Sequence, residues 1–198
     1  TVDEVNIKKD PQNIYLSSFP IKRLEAESIR DAILKVAGSL NDSMFGPPIP
    51  VHVTEFMNGR GRPASGPLDG DGRRSLYVSI KRNFLSPMML TFDRPIPFST
   101  FGKRNITNVP AQSLFLMNDP FVHLQAQNWA EKIVNEAQSS FEQKLESIFM
   151  SAYGRKPSLE EVEEAAEIIS DLKSESELEM WKNYCHLIFN TKEFIHLM

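Results

Sequence analysis

The sequence predicts a mainly α fold with a small two- or three-stranded β element (α+β), in which a C-terminal antiparallel helical bundle packs on an irregular, polar-cored layer. Three observations lead to this class. From Val109 onward, apolar residues recur at helical spacing almost without interruption. Residues 41–72 concentrate Gly, Pro and Asp in turn-forming runs such as GPPIP and GRGRPASGPLDGDG. Between these regions, Ser75 to Lys81 alternates, with Leu76, Val78 and Ile80 on one side and Tyr77, Ser79 and Lys81 on the other.

Taken in order, residues 1–21 read as extended and irregular, broken by Pro11 and Pro20. Residues 22–40 read as a helix with an apolar stripe of Leu24, Ile29, Ile33, Val36 and Leu40. On its charged face Arg23 and Glu27 stand four apart, and Glu27 and Arg30 three apart, at spacings that permit ion pairs. Val51–Thr54 is a short strand candidate and the natural partner for 75–81, since a lone strand is unstable. Pro87–Leu90 starts a short helical turn, and Pro95 and Pro97 force extended backbone before them. Pro110 opens a short helix to Met117, and Asp119-Pro120 is a cap followed by a first-turn proline. Val122, Ala126, Trp129, Ala130, Ile133 and Ala137 continue one helical face. A helix over about 140–153 stops at Gly154, Ser158 and Glu161 form a capping box, and a last helix covers about 176–190.

A chain of 198 residues is long enough for one α-rich domain with a real core. Residues 1–108 would supply a helix, short strands and loops, and residues 109–198 the bundle. The chain begins at Thr1 without an initiator Met and reads as a fragment of a longer protein. Its one cysteine, Cys185, excludes an intrachain disulfide and a four-cysteine zinc site, and its place on an apolar stripe makes it structural. No apolar run is long enough to cross a bilayer. The net charge of −4 divides unevenly, with 15 basic and 12 acidic residues before 131 and 7 basic and 14 acidic residues after 130. We expect the two halves to neutralise each other across an internal interface; the acidic balance and absent motifs argue against nucleic-acid binding.

The chemistry of interest lies between Arg73 and Phe121. Seven cations (Arg73, Arg74, Lys81, Arg82, Arg94, Lys103 and Arg104) surround a single acid, Asp93, between residues 73 and 104. A carboxylate among guanidinium groups stays ionised, which suits charge pairing better than general-acid work. The candidate polar network or ligand site is therefore Arg73, Arg74, Arg82, Asp93, Arg104, Thr107, Gln112 and Asn118, with Arg23, Glu27, Arg30 and Asp31 of the first helix joining it. Phe84, Phe92, Phe98, Phe101, Phe115 and Phe121 would cover it. A closed structural network and an aromatic-lined pocket for a sugar-like ligand are both open at this point. Catalytic residues are not assigned. His52, His123, His186 and His196 have no metal-binding spacing, and no serine sits in a nucleophile motif.

The run Arg23-Leu24-Glu25-Ala26-Glu27-Ser28-Ile29-Arg30-Asp31-Ala32 resembles the opening of the planctomycete-specific C-terminal domain family, a domain of unknown function. The likeness continues through Arg73–Tyr77, Lys81–Asn83, Phe92-Asp93, Arg104–Thr107, Pro110–Leu114 and Leu116–Val122. It ends with Gly154–Pro157 and Asn190–Phe194, so it covers about residues 11–195. The family often carries Cys near Thr100-Phe101; this chain does not, so no thiol role is carried over. The resemblance implies a non-catalytic interaction or structural module of a large exported, multidomain bacterial protein, in the periplasm or at the cell surface. Its partner would be the upstream domain of the same polypeptide. Haem would belong only to upstream domains, and none would bind here. A carbohydrate-acting hydrolase built around Asp93 and a docking module for a cytochrome-type electron-transfer domain are the alternatives.

Overall fold

The computed structural model describes residues 9–16, 19, 21–135, 139–172 and 176–197. Pro20 and Ala137 lie outside them, as does most of the segment expected to be extended before residue 21. Eight α-helices are described: α1 (Ala26–Val36), α2 (Pro87–Thr91), α3 (Pro110–Asn118), α4 (Pro120–Asn135), α5 (Phe141–Tyr153), α6 (Leu159–Asp171), α7 (Glu177–Phe189) and α8 (Lys192–Ile195). Two short strands, β1 (Lys22–Arg23) and β2 (His196–Leu197), pair antiparallel, with Lys22 opposite Leu197 and Arg23 opposite His196. The fold is thus mainly α with a small β element, as the sequence predicts.

The β element is not where the alternation put it. Residues 75–77 form a 3-10 turn, Leu76 and Ile80 are exposed, and only isolated bridges form, Val78 with Ile49 and Lys81 with Phe84. Val51 and Val53 instead form a small second core with Phe84. The reason lies in α1. Asp31 accepts hydrogen bonds from both the amide and the hydroxyl of Ser75, and Arg30 donates to the Arg73 carbonyl. Side chains thus occupy backbone groups that a β ladder would have used. The first helix is also shorter than its apolar stripe. Residues 22–23 are claimed by β2, the Leu24 amide bonds the Ile195 carbonyl at 2.8 Å, and Gly38 at φ 77 closes the other end.

The main core joins α1 to the later helices. Ile29, Ile33 and Leu34 meet Val122, Ala126, Trp129 and Ile133 of α4, Leu145 and Ile148 of α5, and Trp181, Cys185 and Phe189 of α7. Trp129 stacks on Phe189 at 5.3 Å between centroids, and Phe141 on Trp181 at 5.6 Å. Each such large apolar side chain contributes about 1.5–3 kcal/mol on burial. The helix ends follow the sequence signals. Ser140 and Ser158 each complete a capping box, Ser158 with Glu161 as expected, and Gly154 ends α5 at φ 71. Asp119 accepts from the Phe121 amide at the start of α4.

Candidate functional site

Three polar clusters line the side of α1 that faces the loops. They arise because Glu27, Arg30 and Asp31 share one helical face and Arg23 precedes it in β1. The predicted pairs of Glu27 with Arg23 and with Arg30 do not form: Arg23 and Glu27 reach across to Asp93 and Arg104, and Arg30 bonds loop carbonyls, with Asp31 beside it at 3.5 Å.

The first cluster is centred on Asp93, which has a left-handed backbone at φ 63. Arg23 binds its Oδ2 at 2.6 Å, and the Thr107 amide and hydroxyl donate to the same carboxylate at 2.8 and 3.0 Å. Arg23 also donates to the carbonyls of Thr107 and Phe92, with its guanidinium 5.7 Å from the Phe92 ring centroid. Buried Gln112 closes the loop from the other side, donating to the carbonyls of Thr91 and Thr107. Burial alone would raise the Asp93 pKa, but the Thr107 amide, Arg23 and the Thr107 hydroxyl together bring it below the usual carboxylate value.

In the second cluster Arg104 grips Glu27 through two hydrogen bonds of 2.7 and 3.1 Å, Arg94 approaches Glu27 at 3.3 Å, and Glu25 lies 3.3 Å from Arg104. Burial opposes ionisation of Glu27, yet Arg104 and Arg94 hold its pKa below the ordinary value. In the third, Arg30 is buried and donates to the carbonyls of Arg73 and Asp69 and to the Ser75 hydroxyl. Burial lowers its pKa, opposed by Asp31 and Asp69. Gly70 makes room for it, since a Cβ there would stand 2.7 Å from Arg30 Nη2. Arg74 reaches Asp31 only at 3.8 Å and is half-exposed.

Asp93, Arg104, Thr107, Gln112, Arg23, Glu27, Arg30 and Asp31 are therefore brought together, and Arg73 joins through its carbonyl. Its own guanidinium lies over Tyr77 and donates to the Phe45 carbonyl. Arg82 stands apart, over exposed Phe98, and Asn118 only bonds the Leu114 carbonyl within its own helix. Phe84, Phe92 and Phe121 are buried and Phe115 packs against the core; Phe98 and Phe101 are exposed, Phe98 under the Arg82 guanidinium and Phe101 in a recess with Asp93, Arg94 and Arg104. The expected neutralisation between the halves is also absent. Among the described residues, each ion pair joins two residues before 131 or two after 130, so the acidic half keeps its own surface.

A fourth cluster escapes the sequence reading. Arg155 makes paired hydrogen bonds to Glu161 (2.6 and 2.8 Å) and to Glu193 (2.7 Å each), tying the end of α5 to the starts of α6 and α8. Arg155 holds the Glu161 carboxyl down at about 2 against the pull of burial. The signal was present: Gly154–Pro157 and Asn190–Phe194 are two of the blocks that carry the resemblance, and they meet here.

Chemically, these clusters fix loops. Both oxygens of Asp93 and of Glu27 are taken by donors, and neither group has the raised pKa of a general acid. Cys185 is buried, and burial pushes its thiol well up, away from nucleophilic use. His123 and His186 lie 4.3 Å apart between ring centroids, and burial lowers the pKa of His186. Among the described residues no group of three or more His, Cys, Asp or Glu is placed to hold a metal, and no helix is long and apolar enough to cross a membrane.

The model of one protein family matches residues 1–169. The chain belongs to the PSD1 family, described as a protein of unknown function (DUF1553). No curated protein and no solved structure matches the chain. The PSD1 match takes in all three α1 clusters and stops within α6, whereas the core continues through Trp181, Cys185 and Phe189 of α7.

Proposed function

We propose that this PSD1-family chain is a non-catalytic structural and interaction module of a large exported, multidomain bacterial protein, and that it docks on the upstream domain of the same polypeptide. The resemblance to the planctomycete-specific C-terminal domain is the source of that context. The observation that carries docking is the distribution of uncovered apolar side chains. Among the described residues, the large hydrophobic side chains more than half exposed all lie before residue 118 except Leu159, including Tyr15 at 84%, Phe45 at 76% and Phe56 at 92%. Where such side chains adjoin into a patch, they mark partner contacts.

The closed ring of donors around Asp93 supports a structural role over hydrolysis. The cytochrome-docking alternative loses support as well. Of the seven cations in the 73–104 segment, Arg74, Arg94 and Arg104 are spent on Asp31 and Glu27, and Arg73 on Tyr77 and Phe45. Hydrogen–deuterium exchange on the isolated chain and on the longer polypeptide tests the proposal. Residues 9–21, 44–58 and 96–109 should exchange more slowly in the longer protein. Identical exchange in both would refute docking.

A further inference from the structure

A cavity of about 250 Å³ opens beside β1, between the Arg23–Asp93 pair and the loop that carries Lys103 to Ile106. Its lining divides by chemistry. Leu24, Phe92 and Ile106 give apolar surface, Glu25 and Asn105 give hydrogen-bonding groups, and Lys22 and Lys103 add two ammonium groups. The two arginines that also line it are committed, Arg23 to Asp93 and Arg104 to Glu27 and Glu25. The two lysines are not: both are exposed, and neither makes an ion pair among the described residues. The Asn105 side chain likewise has no hydrogen bond among them. The site thus holds two uncompensated positive charges, a free amide and an apolar face around a space larger than an ion needs.

We infer that this cavity binds a small hydroxylated monocarboxylate of the sugar-acid class. Lys22 and Lys103 meet the carboxylate, Asn105 and Glu25 hydrogen-bond the hydroxyls, and Leu24 and Ile106 pack on the C–H face. The two unpaired lysines select an anion, and a bare inorganic anion leaves the apolar wall and the amide unused. A neutral sugar leaves both lysines unpaired. All of its binding groups lie within this chain, so binding to the isolated chain is measured whether or not residues 96–109 also meet an upstream domain.

Calorimetric titration of the 198-residue chain at low salt with D-glucuronate, D-glucose, acetate and inorganic phosphate tests the inference. Glucuronate should saturate one site, with the other three about tenfold weaker or more, the factor expected for losing one charge-assisted contact. The double variant Lys22→Ala/Lys103→Ala should melt with the wild type and bind glucuronate at least about tenfold more weakly. The Asn105 side-chain amide resonance should move during the titration. The inference is overturned if glucuronate does not saturate, if glucose, acetate or phosphate binds as tightly, or if the double variant binds unchanged.

Discussion

Replacing Asp93 with alanine tests the energetic centre of the α1 clusters. The substitution removes the 2.6 Å contact with Arg23 and the acceptor of two Thr107 donors. It leaves Arg23, whose side chain is 6% exposed, as an uncompensated cation. Breaking a buried pair from one side costs about 3–5 kcal/mol. Arg23 keeps the carbonyls of Thr107 and Phe92, and Asp93 is partly solvated, so the low end, about 3 kcal/mol, applies here. Alanine at φ 63 adds about 1 kcal/mol of backbone strain. For a chain of this size a total of about 4 kcal/mol lowers Tm by roughly 8–16 °C. Urea and thermal unfolding followed by circular dichroism would measure both. Asp93→Gly should recover about 1 kcal/mol relative to alanine, which isolates the backbone part. A cycle with Arg23→Met should give a coupling of about 2 kcal/mol. A loss under about 1 kcal/mol in Asp93→Ala would refute the assignment of Asp93 as an anchor.

Acid stability gives a second check. The Glu161 pKa lies at about 2 in the folded chain, depressed from 4.5, so its contribution is complete above 4.5 and disappears as pH falls towards 2. Glu161→Gln should therefore flatten the stability profile across that window, as read from urea midpoints at successive pH values; an unchanged slope would discount the Arg155 cluster. Gly70→Ala forces a methyl against Arg30 and should cost about 2 kcal/mol or more, whereas Gly61→Ala, with the same sign of φ and open space around it, should cost about 1 kcal/mol. Equal midpoints for the two glycine variants would mean that Arg30 yields freely.

The helices were legible because their signals are local. Caps such as Ser158 with Glu161, the stop at Gly154 and the stripe through Val122, Ala126, Trp129 and Ile133 act within one element, and each reappears in the fold. The alternation at 75–81 was misleading because periodicity cannot register that Arg30 and Asp31, more than forty residues earlier, bind the Arg73 carbonyl and the Ser75 amide where that segment begins. Helical spacing suggested that Arg23, Glu27 and Arg30 would pair with one another, but carbonyls and charges of the loops packed on that face drew them outward. Asp93 stood out through its isolation among cations. Glu193 did not, because nothing in its neighbourhood announces Arg155, thirty-eight residues away, as its partner.

The pairing of β1 with β2 has a consequence for synthesis. Residues 196–197 leave the ribosome long after residues 22–23, yet they clasp them, and Ile195 holds Leu24. Arg23 is one of the clasped residues, so the strand that carries the Asp93 partner is not fixed until β2 has been made. During translation this end of the α1 layer must wait until β2 has emerged. Such late closure of a long-range contact is slow and leaves the nascent form exposed to holdase binding.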